Sequence, residues 1–104
     1  MGSEKKWVAV ALEGRSKVPA VFGAKEEEQV MKYEVDDSKI YRMHVVPFTK
    51  ETLNIAIKNG EIVAVAVNDI TPEYEEILRD LNVEVLKGFS GGCKAVIEQA
   101  FLNK

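Results

Sequence analysis

Two uninterrupted apolar runs, WVAVAL at residues 7–12 and IVAVAV at residues 62–67, constrain the fold of this chain more than any other feature. Both have strand length, and neither contains the polar alternation that a strand with one wet face would show. A strand of this kind has no face to give to water, so it must lie inside a sheet covered on both sides. The two runs are therefore expected to be central neighbours. Two flanking segments read differently. Met31, Tyr33 and Val35 alternate with Lys32 and Glu34, and Tyr41, Met43 and Val45 alternate with Arg42 and His44. Period-two alternation marks half-covered strands, and the polar sequence Asp36-Asp37-Ser38-Lys39 between them makes the pair an antiparallel hairpin.

Helical spacing follows the hairpin. After Pro47, Thr49 is placed to cap a helix whose Leu53, Ala56 and Ile57 share a face and which Gly60 stops. A second helix carries fuller signals, with Thr71 at the cap, Pro72 at the first helical position and Glu73, Glu75 and Glu76 near the positive end of the dipole. Its Tyr74, Ile77, Leu78 and Leu81 fall at i, i+3, i+4 and i+7, the core face. A short strand over residues 83–86 comes next, then a glycine loop, then a third helix with Cys93, Val96, Ile97, Ala100 and Phe101 in helical register. Right-handed crossovers turn this order into an α/β fold. It has a five-stranded mixed sheet of spatial order 3-2-1-4-5, the second strand antiparallel and three helices on the faces. With 104 residues, 46% of them apolar, the chain makes one domain over residues 1–104. A domain of that mass buries about 65% of its unfolded surface, enough for one core without staples.

Charge and cysteine content exclude several classes of function. Lys and Arg number 14 against 17 Asp and Glu, a net charge of -3, which is the wrong sign for a domain that neutralises nucleic-acid phosphates. The single cysteine, Cys93, allows no internal disulfide and suits a reducing, cytoplasmic setting. The opening Met1-Gly2-Ser3-Glu4-Lys5-Lys6 lacks the apolar run of a signal peptide, and no stretch approaches the ~18 apolar residues of a membrane span. The run Lys25-Glu26-Glu27-Glu28 reads as a solvated loop or strand edge.

The segment KGFSGGCK, residues 87–94, holds most of the candidate chemistry. Gly88-Phe89-Ser90-Gly91-Gly92 matches G-x-S-x-G between a strand and a helix, but a nucleophile elbow needs a histidine later in the chain, and the only histidine, His44, lies upstream. An anion-binding reading uses the same glycines, because backbone N–H groups at a helix start face a positive dipole end. In this sheet order ligands favour the carboxyl ends of the parallel strands. Three loops are predicted to meet there, with Gly14 and Arg15 on the first, Asn68 and Asp69 on the second, and Ser90, Gly91 and Gly92 on the third. Plain turn chemistry explains the same pattern, which is neither a Walker loop nor a dinucleotide fingerprint. Cys93 is either a thiol activated at the helix start or a packed one, and its place on the apolar face favours packing. His44 is either a partly exposed sheet residue or a metal ligand. Glu13, Glu51 and Asp69 fall near the positions of two-metal nuclease acids, yet the first strand itself carries no acid. No nucleophile and base pair assembles, so a classical enzyme is not expected.

Three stretches, VAVALEG, KVPAVFGAKEEEQVMKYEVDD and EIVAVAVNDITPEYEEILRDLNVEVLKGFSGGCKAVIEQAF, together resemble the dinitrogenase iron-molybdenum cofactor biosynthesis domains of the NifX and NafY type. The resemblance spans nearly the whole chain, with Phe22-Gly23 and Asn82-Val83-Glu84-Val85 as its anchors. It implies a ribonuclease H-like fold without the nuclease acids. The implied role is to bind an iron-sulfur or iron-molybdenum cluster and deliver it to an acceptor protein. Cys93 and His44 are then the implied metal ligands, beside the three loops. The chain departs from the family pattern at Val21, where a histidine often precedes Phe-Gly, and at residues 46–48, where a longer histidine-bearing loop is usual. The alternative is a non-catalytic domain that binds a partner protein or a small anion.

Overall fold

A computed structural model describes residues 4–102, and the opening Met1-Gly2-Ser3 lies outside them. The chain forms β1 (Lys6–Leu12), β2 (Val21–Phe22), β3 (Glu27–Val35), β4 (Ile40–Thr49), α1 (Leu53–Gly60), β5 (Ile62–Ala66), β6 (Asp69–Ile70), α2 (Pro72–Asp80), β7 (Glu84–Leu86) and α3 (Cys93–Ile97), which continues as a π-helical turn (Glu98–Leu102). The main sheet has the order β4-β3-β1-β5-β7. Of its pairs, β1 with β3 and β3 with β4 are antiparallel, while β1 with β5 and β5 with β7 are parallel. Counting only these five strands, the order is 3-2-1-4-5 with the second strand antiparallel, the expected ribonuclease H-like arrangement.

The two apolar runs sit side by side as β1 and β5, and Val8, Ala9, Val10, Ala11, Val65, Ala66 and Val67 have no exposed surface. Side chains alternate between the two faces of the sheet. The face bearing Ala9 and its partners Lys32 and His44 lies toward α1, since the Lys32 ammonium donates to the Gly60 carbonyl at 3.4 Å. The opposite face, bearing Val8, Val10 and Tyr33, is covered by α3.

Several local features differ from the sequence reading. Thr49 is the last residue of β4 and its N–H donates to Thr52 Oγ1, so the cap position of α1 moves to Thr52, whose hydroxyl is already engaged by that turn. The left-handed residue that ends α1 is Glu61 (φ 56°), not Gly60. A Cβ on Gly60 would stand 3.3 Å from Ile62 Cδ1 and 3.4 Å from the Lys32 ammonium, ends of flexible side chains that need shift only a few tenths of an ångström. The second helix is capped as expected, with Thr71 Oγ1 accepting from the Tyr74 N–H. A bulge inserts Tyr41 into the β3–β4 ladder, so Tyr41 does not continue the alternation of Met43 and Val45. The two-residue strands β2 and β6 form a small parallel pair that ties the segment after β1 to the start of α2.

Candidate functional site

The carboxyl ends of β1, β5 and β7 do bring the three predicted loops together. Cys93 N–H donates to Ser16 O at 2.7 Å and Val18 N–H to Gly91 O at 2.8 Å, which joins the Gly14-Arg15 loop to the Ser90-Gly91-Gly92 loop. Gly88 N–H donates to Asn68 O at 2.9 Å and Phe89 N–H to Val67 O at 3.0 Å, which joins the third loop to the second. The start of α3 is thus fastened by main-chain hydrogen bonds between loops, and the first N–H of that helix is spent on Ser16. Gly14, Arg15, Ser90, Gly91 and Gly92 are exposed, Asn68 is half-buried, and the Asp69 carboxylate accepts from its neighbour's N–H on Ile70.

Cys93 lies beneath this junction at 2% exposure, and its thiol donates to Ala11 O across 3.5 Å. Burial pushes the thiol pKa up, the reverse of what thiolate ligation or nucleophilicity needs. It packs with Val96 and Ile97 near Tyr33, whose phenol is raised to about 12, first by burial and then by the neighbouring Cys93. His44 is exposed on β4, paired with Lys32 on the α1 side of the sheet, and its ring is 5.9 Å from that of Trp7. Sheet alternation therefore sets Cys93 and His44 on opposite faces. Among the described residues no group of three His, Cys, Asp or Glu side chains converges. The donor set implied by the resemblance does not fit a cluster, which needs several thiolates or their equivalents at one point.

The nuclease-like acids are also apart in role. Glu13 pairs with Lys25 at 2.6 Å, and that hydrogen bond holds its carboxyl below the usual range. Glu51 is exposed beside the start of α1.

The sequence reading missed Glu28. It was expected within a solvated charge run, but it is 5% exposed, and its Oε2 accepts from Gly23 N–H at 3.0 Å and Lys25 N–H at 2.8 Å. The carboxylate closes the turn between β2 and β3. Gly23 (φ 100°) packs so closely that a Cβ would meet Thr71 Oγ1 at 2.5 Å and Tyr74 Cγ at 2.8 Å. Phe22 stacks edge-on with Tyr74 and with Phe48, at 5.3 and 5.9 Å between centroids. Phe22-Gly23, one of the anchors of the resemblance, is therefore a structural clasp on the first turn of α2. The spacing from Gly23 to Glu28 carried a signal, since a carboxylate five residues after a turn glycine can cap that turn, but the adjacent Glu26 and Glu27 concealed it.

No family model matches this chain, and no curated protein matches it. Among solved structures, it is similar to one described as the crystal structure of PH0822, with a TM-score of 0.76 and 22% identity over 88% of this chain and 85% of that one. At that identity the likeness shows the fold. Among the described residues no helix is long and apolar enough to cross a membrane.

Proposed function

We propose that this chain is a non-catalytic interaction domain that uses the ribonuclease H-like sheet to present a surface and does not ligate a metal cluster. The observation that carries the reading is the position of Cys93, buried at 2% exposure with its thiol donating to Ala11 O and its pKa raised. A surface suited to a partner protein exists on the edge strand β4, where Met43 and Val45 are 60% and 49% exposed. Large apolar side chains in a row on an edge strand are a common mark of a protein contact. The free thiol supports a reducing, cytoplasmic location.

A second reading is the carrier of an iron-sulfur or iron-molybdenum cluster, as in NifX and NafY type domains, with an acceptor protein as partner. The feature that favours it is that Cys93 lies where the three loops converge. One experiment separates the two readings: anaerobic reconstitution with iron and sulfide, comparing the parent chain with Cys93→Ala by metal content and visible absorbance. The interaction-domain reading expects no stoichiometric iron in either protein. Stoichiometric absorbance in the parent that is lost in the variant would overturn it in favour of the carrier.

A further inference from the structure

Among the described residues no strand pairs with the outer edge of β4. Its free hydrogen-bonding groups follow from its last residue. Thr49 N–H donates to Thr52 Oγ1 at 2.8 Å and Thr49 O accepts from the Thr52 N–H at 3.1 Å, so the main chain of Thr49 points away from β3. Main-chain groups alternate in direction along an antiparallel pair, and the β3–β4 ladder is regular from Thr49 back to Arg42. Pro47, Val45 and Met43 therefore present theirs outward. Proline suits that place, because within a sheet it keeps its missing N–H on the solvent side of an edge. The chain enters the sheet at the other end of this edge, where Lys6 is level with Val35 and Ile40.

Two irregularities bound the free stretch, the bulged Tyr41 and the donorless Pro47, and His44 lies midway between them. An edge built symmetrically about one residue is self-complementary, because a two-fold axis there sets each end against the other. With the axis at His44, Met43 meets Val45 of the second copy and the two exchange main-chain hydrogen bonds, Arg42 meets Val46, and both ends of the new ladder close with Tyr41 against Pro47. Arg42, the one permanent charge on β4, is already paired with Glu34 at 2.9 Å, so this edge selects its partner by register and apolar contact, not by charge. We infer that, as a specific form of the interaction domain proposed above and resting on that reading, the chain forms a two-fold dimer by antiparallel pairing of β4 with β4 of a second copy, the axis passing at His44. Exposed Met43 and Val45 of both copies then make one apolar cluster on the α3 side of a sheet continuous across the dimer. The paired stretch is about 24 Å long and buries roughly 350–500 Å² of each copy, the low end for a specific interface, so the dimer is weak, with a Kd of about 10–300 µM.

Sedimentation equilibrium of the parent chain from about 5 µM to about 1 mM should show a monomer–dimer equilibrium in that range. Val45→Pro removes one outward N–H and leaves the β3 ladder intact, so a variant with the parent's circular dichroism should dimerise at least about tenfold more weakly. Met43→Lys, at a side chain already in water, should weaken the dimer in the same way. Register is read by cross-linking in a Cys93→Ala background. His44→Cys should form an intermolecular disulfide on mild oxidation much faster than Arg42→Cys, because the axis sets position 44 about 4.5 Å from its own copy between Cα atoms and sets position 42 against 46. A parent that stays monomeric to about 1 mM, a folded Val45→Pro that dimerises as the parent does, or Arg42→Cys cross-linking as fast as His44→Cys overturns the pairing. A monomer that takes up no iron leaves the interaction-domain reading standing with a different partner, whereas iron uptake lost with Cys93→Ala removes that reading whatever the oligomeric state.

Discussion

Replacing Gly23 by alanine tests whether the Phe22-Gly23 clasp is structural. Two costs add. At φ 100° an L-residue is strained whatever the space, which costs about 1–2 kcal/mol. The new Cβ would also stand 2.5 Å from Thr71 Oγ1 and 2.8 Å from Tyr74 Cγ, well inside contact distance. Relief requires Thr71 to give up its hydrogen bond to the Tyr74 N–H, a cap worth about 1 kcal/mol. Otherwise Tyr74 must move, and its ring is 1% exposed and packed between Phe22 and Phe48, so overpacking costs about 1–3 kcal/mol. The sum is about 2–5 kcal/mol, a large share of the roughly 5–15 kcal/mol typical of a domain. In urea denaturation, with a slope of about 1.5 kcal/mol per M, the midpoint should fall by roughly 1–3 M. Gly14→Ala is the control, since Gly14 has φ 65° and nothing within 4 Å of a built Cβ. It should lose only the backbone part, about 1 kcal/mol. If Gly23→Ala costs no more than Gly14→Ala, the close approach to α2 is not what holds that glycine.

Two further predictions concern buried polar groups. Tyr74 Oη is buried without a hydrogen-bond partner among the described residues, so Tyr74→Phe removes an unpaired hydroxyl and should leave thermal stability unchanged or raised by up to about 1 kcal/mol, where a loss of 1 kcal/mol or more would reveal a partner. Tyr33 and Tyr74 both have phenols raised to about 12, chiefly by burial. The folded state therefore keeps protons that the unfolded state gives up near pH 10, so the stabilisation is complete below pH 10 and is lost as pH rises toward 12. Equilibrium unfolding at successive alkaline pH values should show stability falling across that window, and Tyr33→Phe should make the fall shallower.

The sheet was legible because its strongest signals are long. Six-residue apolar runs set β1 and β5, period-two alternation placed β3 and β4 as strands, and crossover handedness favoured the order of the five strands. The face of β4 expected to be covered is not, since Tyr41, Met43 and Val45 are 38%, 60% and 49% exposed on this edge strand. Thr71 and Pro72 placed α2 to the residue, because a cap and a first-turn proline act within a few residues of sequence. What escaped the reading depends on contacts remote in sequence. A two-residue pair such as β2 with β6 has no periodicity to detect. The bulges at Tyr41 and Val63 arise from matching neighbouring strands and leave no mark in either strand alone. Glu28 looked like a surface acid because its partners are two backbone N–H groups, which carry no residue code. The convergence of the three loops followed from topology, but the depth of Cys93 did not. Its apolar spacing with Val96 and Ile97 favoured packing, and only the fold shows the Ala11 carbonyl above it.

The claim on which the functional account rests is that Cys93 is a packing thiol. It is tested most directly by the rate at which an aromatic disulfide reagent labels it at pH 8, measured in the native protein and again in denaturant. A thiol at 2% exposure, its pKa raised by burial, should react only through opening of the α3 region, at least about a hundredfold more slowly than in the unfolded chain. Labelling of the native protein at the unfolded rate would contradict the account, because it would put a reactive thiol at the junction of the three loops, where a cluster carrier needs one.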